Sequence, residues 1–281
     1  MGLRINTNVA SLNARRNLMG TKLNLDQNLE RLSSGYRINR AGDDAAGLAI
    51  SENLRAQIRG LKQASRNAQD GVSLVQVAEG GLNEVSNILI RLRELAVQAA
   101  SDTVGPVERQ FLNVEYDQLV SEIDRIADGT EFNGTSLLSG TGAILDFQVG
   151  TRNDPNIDRL SFDASKADAN SAALGINLTS VADKASAQNS LGAIDSAIVS
   201  VSAMRADFGA VQNRLQSTIN NVSIALENLS AANSRIRDVD IAEETAELTK
   251  NNVLMQAGTS VLAQANQSSN AALSLLNQSF S

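Results

Sequence analysis

Histidine and cysteine are both absent from this chain of 281 residues. Without histidine the usual general base near neutral pH is missing. Without cysteine there are no disulfides or thiol nucleophiles, and losing both residues removes the usual zinc sites. Cysteine usage alone leaves the compartment open, since disulfide-free proteins occur on both sides of a membrane. Tryptophan is missing as well, aromatics make up 3% of the chain, and Pro106 and Pro155 are its only prolines. Compact globular cores lean on large aromatic side chains, whereas a slender helical bundle does without them. No uninterrupted apolar run approaches the roughly 18 residues of a membrane span, so no membrane insertion is expected. The start MGLRINTNVASLNA lacks the apolar segment of a cleaved secretory signal. A net charge of −7 argues against a nucleic-acid partner. The Arg15-Arg16 and Arg91-Leu92-Arg93 runs read as solvated helix faces or ion-pair partners.

What the chain has is heptad periodicity. Leu54, Leu61, Ala68, Val75, Leu82, Leu89 and Ala96 form one seven-residue ladder, and Ile194, Val201, Phe208, Leu215, Val222, Leu229 and Ile236 form another. Companion apolar positions follow each at the three-residue offset, broken at Gln57, Gly71 and Thr218. A sustained seven-residue repeat keeps one helix seam facing a partner. Two ladders of equal length, far apart in sequence, make a natural antiparallel pair. The fold class expected is mainly α: a long antiparallel helical rod, or coiled coil, formed by the N- and C-terminal halves.

Other signals divide the chain. Ile5, Leu12 and Met19 form a short ladder, with Leu18, Leu25 and Leu32 in a second phase. Gly35 suits a left-handed helix end. A link over residues 35–44 follows, where Asp43 and Asp44 are N-cap candidates. Rod segments are expected over 45–130 and 182–235. Pro106 opens the second helix of the first segment, and Phe111, Leu112, Leu119, Ile123 and Ile126 are its apolar face. Gly47, Gly60, Gly71, Gly80 and Gly81 suggest close backbone approach. Residues 131–181 change character: Asn133-Gly134 is a turn signal, and Leu145, Phe147, Val149, Leu160 and Phe162 alternate with polar neighbours, which predicts a small β-hairpin tip. The second ladder breaks phase across a link at 236–240. It resumes as Ile241, Leu248, Met255 and Leu262, skips Ser269 and returns at Leu276. Terminal helices are thus expected at 1–34 and 241–281. The pairs Asp43-Asp44 and Glu243-Glu244 read as helix caps and solvated charge rather than catalytic carboxylates.

Lys250 is the last charged residue, and residues 251–281 are rich in Asn, Gln, Ser and Thr. A solvent-facing helix of that length would ordinarily carry charge. A membrane-surface helix would use a basic face. A disordered tail and a tail buried in a homo-oligomer both fit, and the two are compatible if ordering comes with assembly.

The runs INTNVASLNARRNL, RLSSGYRINRAGDDAAGLAISENLRAQIRGL, RELAVQAASDT and SRIRDVDIAEETAELTKNNVLMQAGTSVLAQANQ resemble bacterial flagellin. The middle of the chain, about 45 residues, is short beside flagellins that insert large outer domains, which implies a minimal subunit. The resemblance implies self-assembly of many copies into a hollow helical filament for swimming, with paired termini inside and the rod outside. It also implies unfolded export by the flagellar type III route to an extracellular flagellum. The implied partners are an export chaperone on the C-terminal region, cap and junction proteins, and a host Toll-like receptor touching Arg91, Leu95 and Glu115. The self-assembly core is expected at Ile5, Leu12, Met19, Leu25, Leu32, Ile241, Leu248, Met255, Leu262 and Leu276. The rod seam is expected at Leu54, Leu61, Val75, Leu82, Leu89, Ile194, Val201, Phe208, Leu215, Val222 and Leu229. The rival reading is a hook–filament junction protein. Metalloprotease-like insertions of some flagellins need an HExxH site, so no enzyme, metal or cofactor is expected.

Overall fold

The computed structural model describes residues 7–278, with side chains described to residue 267. Its elements run α1 (Val9–Ser34), α2 (Ala45–Ala99), α3 (Pro106–Gly129), β1 (Glu131–Phe132), β2 (Thr135–Ser136), β3 (Ile144–Gln148), β4 (Arg159–Asp163), a 3-10 turn (Ala164–Lys166), α4 (Lys184–Arg237) and α5 (Ile241–Gln278). The chain is mainly helical, as the heptad ladders require. It forms two compact units, one from the two ends of the chain, up to residue 56 and from residue 229, and one from residues 57–228.

In the central unit α2 and α4 run antiparallel: Glu79 meets Arg205, Arg93 meets Asp195, and Gly71 lies opposite Leu215. Val75, Leu82, Leu89, Ile194, Val201, Phe208, Leu215 and Val222 are all buried, so the seam rungs expected in this unit from Val75 onward form its core. Leu61 is half-buried. Leu54 and Leu229 belong to the other unit and are also half-buried.

The break in the first ladder has a physical use. A Cβ on Gly71 would stand 3.1 Å from the Phe147 ring and 3.3 Å from Leu215, so the missing side chain is where the β3–β4 hairpin enters the helix pair. That hairpin pairs antiparallel with Leu145 opposite Phe162 and Phe147 opposite Leu160. Its Phe162 ring meets Phe208 at 4.7 Å. The shorter β1–β2 hairpin turns at Asn133 and Gly134, both at positive φ (51° and 76°), the geometry of a tight primed turn.

Residues 131–181 pack within the central unit. Leu137, Leu138, Phe162, Ile176 and Val181 belong to the same core cluster as Leu82 and Ile194. The stretch after the 3-10 turn has no ladder of its own, so its polar groups need other partners, and α3 supplies them. Asn113 accepts from the Val181 amide and the Ser180 hydroxyl at 2.9 and 2.8 Å. The Tyr116 hydroxyl bonds Thr179 at 2.6 Å. Asp124 accepts from the amide and hydroxyl of Ser171 at 2.7 and 2.8 Å. The core face of α3 is therefore Tyr116, Ile123 and Ala127, flanked by Leu112, Leu119, Val120 and Ile126. Phe111, expected on that face, is 71% exposed, because it falls outside the arc that meets α2.

Phe208→Ala should cost about 3–5 kcal/mol, the range for deleting a buried aromatic side chain. Urea unfolding followed by circular dichroism checks this, and an unchanged midpoint would remove Phe208 from the core.

Candidate assembly interface

The terminal unit holds a two-helix pair, α1 against α5. Asn8 caps α1 by accepting from the Ser11 amide at 3.0 Å and donates across to the Ala265 carbonyl at 2.8 Å. The Ser11 hydroxyl reaches Asn266 at 2.9 Å. Leu18 packs on Gly258, where a Cβ would stand 3.3 Å away. The uncharged, amide-rich sequence at this end is thus helical, and its amides do bond across to the other terminus.

The α1 seam follows Ser11, Ala14, Leu18, Thr21, Leu25, Asn28 and Leu32, and the α5 seam follows Leu248, Asn251, Met255, Gly258, Leu262 and Ala265. Of the expected assembly residues, Leu25, Leu32, Leu248, Met255 and Leu262 lie half-buried in this seam. Leu12, Met19 and Ile241 do not: they are solvent-exposed, Met19 at 71%. Ile5, and the side chain of Leu276, fall outside the described residues.

Leu12 and Met19 belong to a second apolar stripe that the α1–α5 pair leaves uncovered. On α1 it includes Val9, Leu12, Met19 and Leu23; on α5 it includes Val253, Leu254 and Val261. Val9, Leu23, Val253, Leu254 and Val261 were missed in the sequence, although the spacing of Leu12, Met19 and Leu23 at seven and four residues is a helical-face signal. Scattered surface apolar residues are ordinary, but a stripe repeated on both helices of a pair is a candidate interface. Glu244, expected as solvated charge, is instead 8% exposed in the seam beside Arg31. Asp240 caps α5 in its place, accepting from the amides of Ala242 and Glu243.

The two links join each other. The Arg37 amide donates to the Arg237 carbonyl at 2.7 Å, and the Val239 amide to the Gly35 carbonyl at 3.1 Å. The Arg37 guanidinium caps the Ile236 carbonyl at 2.6 Å. Arg237 lies over the Tyr36 ring at 4.7 Å and bonds Glu52 at 2.6 Å. That bond from Arg237 holds the Glu52 carboxyl below its ordinary range, with Arg55 adding to the effect. Asp44 caps α2 through the Gly47 amide at 2.8 Å. Asp43 folds back to accept from the amides of Arg40 and Asn39 at 2.9 and 3.0 Å. Those two bonds, Arg40 first, hold its carboxyl low.

In the central unit, Arg91 bridges α2 and α3, bonding Glu115 at 2.8 Å and Glu94 at 2.9 Å. The Glu115 bond is the main cause of its raised guanidinium pKa. Exposed Ile90, Val97, Val107, Phe111 and Val114 lie on the same two helices. Leu95 does not join this surface. It is 1% exposed in the core, so it supports the α2 face from beneath and offers a partner no contact. No group of three or more carboxylates placed to hold a metal ion and no helix long and apolar enough to cross a membrane occurs among the described residues.

Family models for the bacterial flagellin N-terminal helical region and C-terminal helical region match residues 5–143 and 191–276, more than half of the chain. The chain is 51% identical over 273 residues to the flagellin of Halalkalibacterium halodurans, covering 97% of this chain and 99% of that one. It is 47% identical to the flagellin of Bacillus subtilis, covering 98% and 100% respectively. The crystal structure of Bacillus cereus flagellin is similar at a TM-score of 0.50 and 36% identity, covering 60% of this chain and 94% of that one.

The link carboxylates carry a pH dependence. Their folded pKa values lie below the unfolded ones, so their stabilisation is complete above the ordinary carboxylate range and is lost as pH falls through the folded values. Hydrogen-exchange protection of the Arg37 and Val239 amides should hold from neutrality down to about pH 5 and fall below about pH 4. Undiminished protection in stronger acid would contradict this account of the links.

Proposed function

The chain belongs to the bacterial flagellin family, and on that premise we propose how the filament subunit assembles and whom it meets. As a flagellin it is a structural subunit of the flagellar filament, and identity to flagellins along nearly the whole chain disfavours the junction-protein reading. The proposed mechanism is burial completed between copies. The α1–α5 pair uses one face of each helix internally and leaves a second apolar face open on each. Neighbouring copies cover these stripes, and apolar burial at ~25 cal/mol per Å² drives the addition. The outward stripe on both terminal helices is the observation that carries this reading.

The finer roles follow the family. The subunit leaves the cell by the flagellar export route to an extracellular filament, held beforehand by a chaperone on the α5 region, and meets cap and junction proteins at the filament ends. The exposed Arg91–Glu115 bridge, with its apolar surround, is the contact offered to a Toll-like receptor. That surface serves packing between copies first. No catalytic role is proposed.

Met19→Glu should leave helicity intact while abolishing elongation from filament seeds, because the new charge would be buried unpaired at the contact. Deletion after Lys250 should likewise give a folded central unit that cannot elongate. Normal filament yield from either variant, seen by electron microscopy, would refute the role assigned to these helices. Arg91→Ala should weaken activation of receptor-bearing cells by the purified chain and, because the same surface packs copies, lower filament yield as well; unaltered activation would remove the receptor contact.

A further inference from the structure

The α1–α5 seam contains a polar cluster where a helix pair built for stability alone would be apolar. Asn28, Glu244 and Asn251 are 6%, 8% and 5% exposed. In the amide orientation that satisfies the network, Asn28 donates to Glu244 Oε1 and to the Asn24 carbonyl, both at 2.9 Å. It accepts from Asn251 Nδ2 at 3.1 Å and from the Leu248 amide at 3.3 Å. Arg31 Nη1 lies 3.8 Å from Glu244 Oε2, and Arg31 Nε is buried with no acceptor among the described residues. Burying an amide pair, a carboxylate and an incompletely bonded guanidinium costs stability that leucines would not.

We propose that Asn28, Arg31, Glu244 and Asn251 determine the register in which α1 and α5 pair, and so the composite surface that the pair presents to neighbouring copies. The proposal rests on the filament reading above and adds the residues that specify its geometry. The link bonds at Gly35, Arg37, Arg237 and Val239 and the Asn8 and Ser11 bonds at the far end also oppose a slip, but the leucines between them discriminate poorly between registers. Leu18, Leu25 and Leu32 recur every seven residues, as do Leu248, Met255 and Leu262. A slip of one heptad therefore returns apolar side chains to apolar places. The polar cluster does not tolerate that slip. Sliding α5 in one direction keeps Asn251 beside Asn28 but removes Glu244; sliding it in the other keeps Glu244 and removes Asn251. Either way a seam amide or charge loses its partner. A single buried polar position fixes register in coiled coils at a cost in stability, and this seam holds three, with the half-buried Arg31 beside them. The outcome matters outside the seam, because a slip moves Val253, Leu254 and Val261 about 10 Å along Leu12, Met19 and Leu23. No incoming copy shaped for one surface would fit the other.

The chain has no cysteine, so engineered pairs report register without background. Leu18→Cys with Gly258→Cys reports the observed register, while Leu18→Cys with Ala265→Cys and Ser11→Cys with Gly258→Cys report the two slips. In the otherwise unaltered full-length chain at high dilution, only the first pair should close an intramolecular disulfide. In the background Asn28→Leu/Glu244→Leu/Asn251→Leu, which keeps the seam apolar and the pair folded, slipped pairs should close to yields well above those in the otherwise unaltered chain. Their cross-linked chains should fail to add to seeds. Exclusive closure of the Leu18–Gly258 pair in the triple variant overturns the proposal, whatever its filament yield. Failure of the unaltered chain to elongate would instead sink the filament reading while leaving the disulfide result interpretable.

Discussion

Everything in this molecule depends on apolar surface that one copy buries only in part. The central unit closes its own core: its buried α2 and α4 rungs, the α3 face and both hairpins share one cluster. The terminal unit is different. Two helices in a pair can each hide one stripe, and α1 and α5 carry more apolar positions than one stripe holds. The charge-free composition of the last 31 residues fits this requirement, because charge left unpaired inside a protein contact is costly.

Polar contacts decide geometry where apolar burial cannot. The links would be irregular chain without the paired backbone bonds between Gly35, Arg37, Arg237 and Val239. In the central unit the stretch around Ser171 to Val181 is held by Asn113, Tyr116 and Asp124 of α3. In the terminal pair the cluster around Asn28 sits among leucines that would accept several alignments. Exposed ion pairs such as Arg93–Asp195 add little energy individually. They do restrict which helix faces meet.

Periodicity made the helices legible in the sequence, and turn chemistry made the hairpins so. The α2 and α4 seams lie where the ladders place them, and Asn133-Gly134 turns as its residue types demand. Periodicity is silent about which of two helical faces a partner occupies, which is why Leu12 and Met19, grouped with Leu25 as one assembly core, prove to lie on a separate, open stripe. It is equally silent about residues 131–181, whose contribution to the core arrives through side-chain bonds from α3 rather than through a repeat. Glu244 looked like cap charge because it is acidic and early in its helix; its burial depends on Asn28, more than 200 residues away in sequence. Leu95 was placed on a surface by its motif, although as the residue before the ladder rung Ala96 it faces the core.

The central claim is that the outward stripe of the terminal pair is exposed in the free subunit and covered by copies in the filament. Met19 reports on it directly, since methionine oxidation tracks exposure. Brief peroxide treatment of monomer and of filament, read by mass spectrometry at Met19, compares the two states. The account predicts rapid sulfoxide formation in the monomer and strong protection in the filament, with the core-facing Met204 changing little. Equal oxidation of Met19 in both states would contradict it.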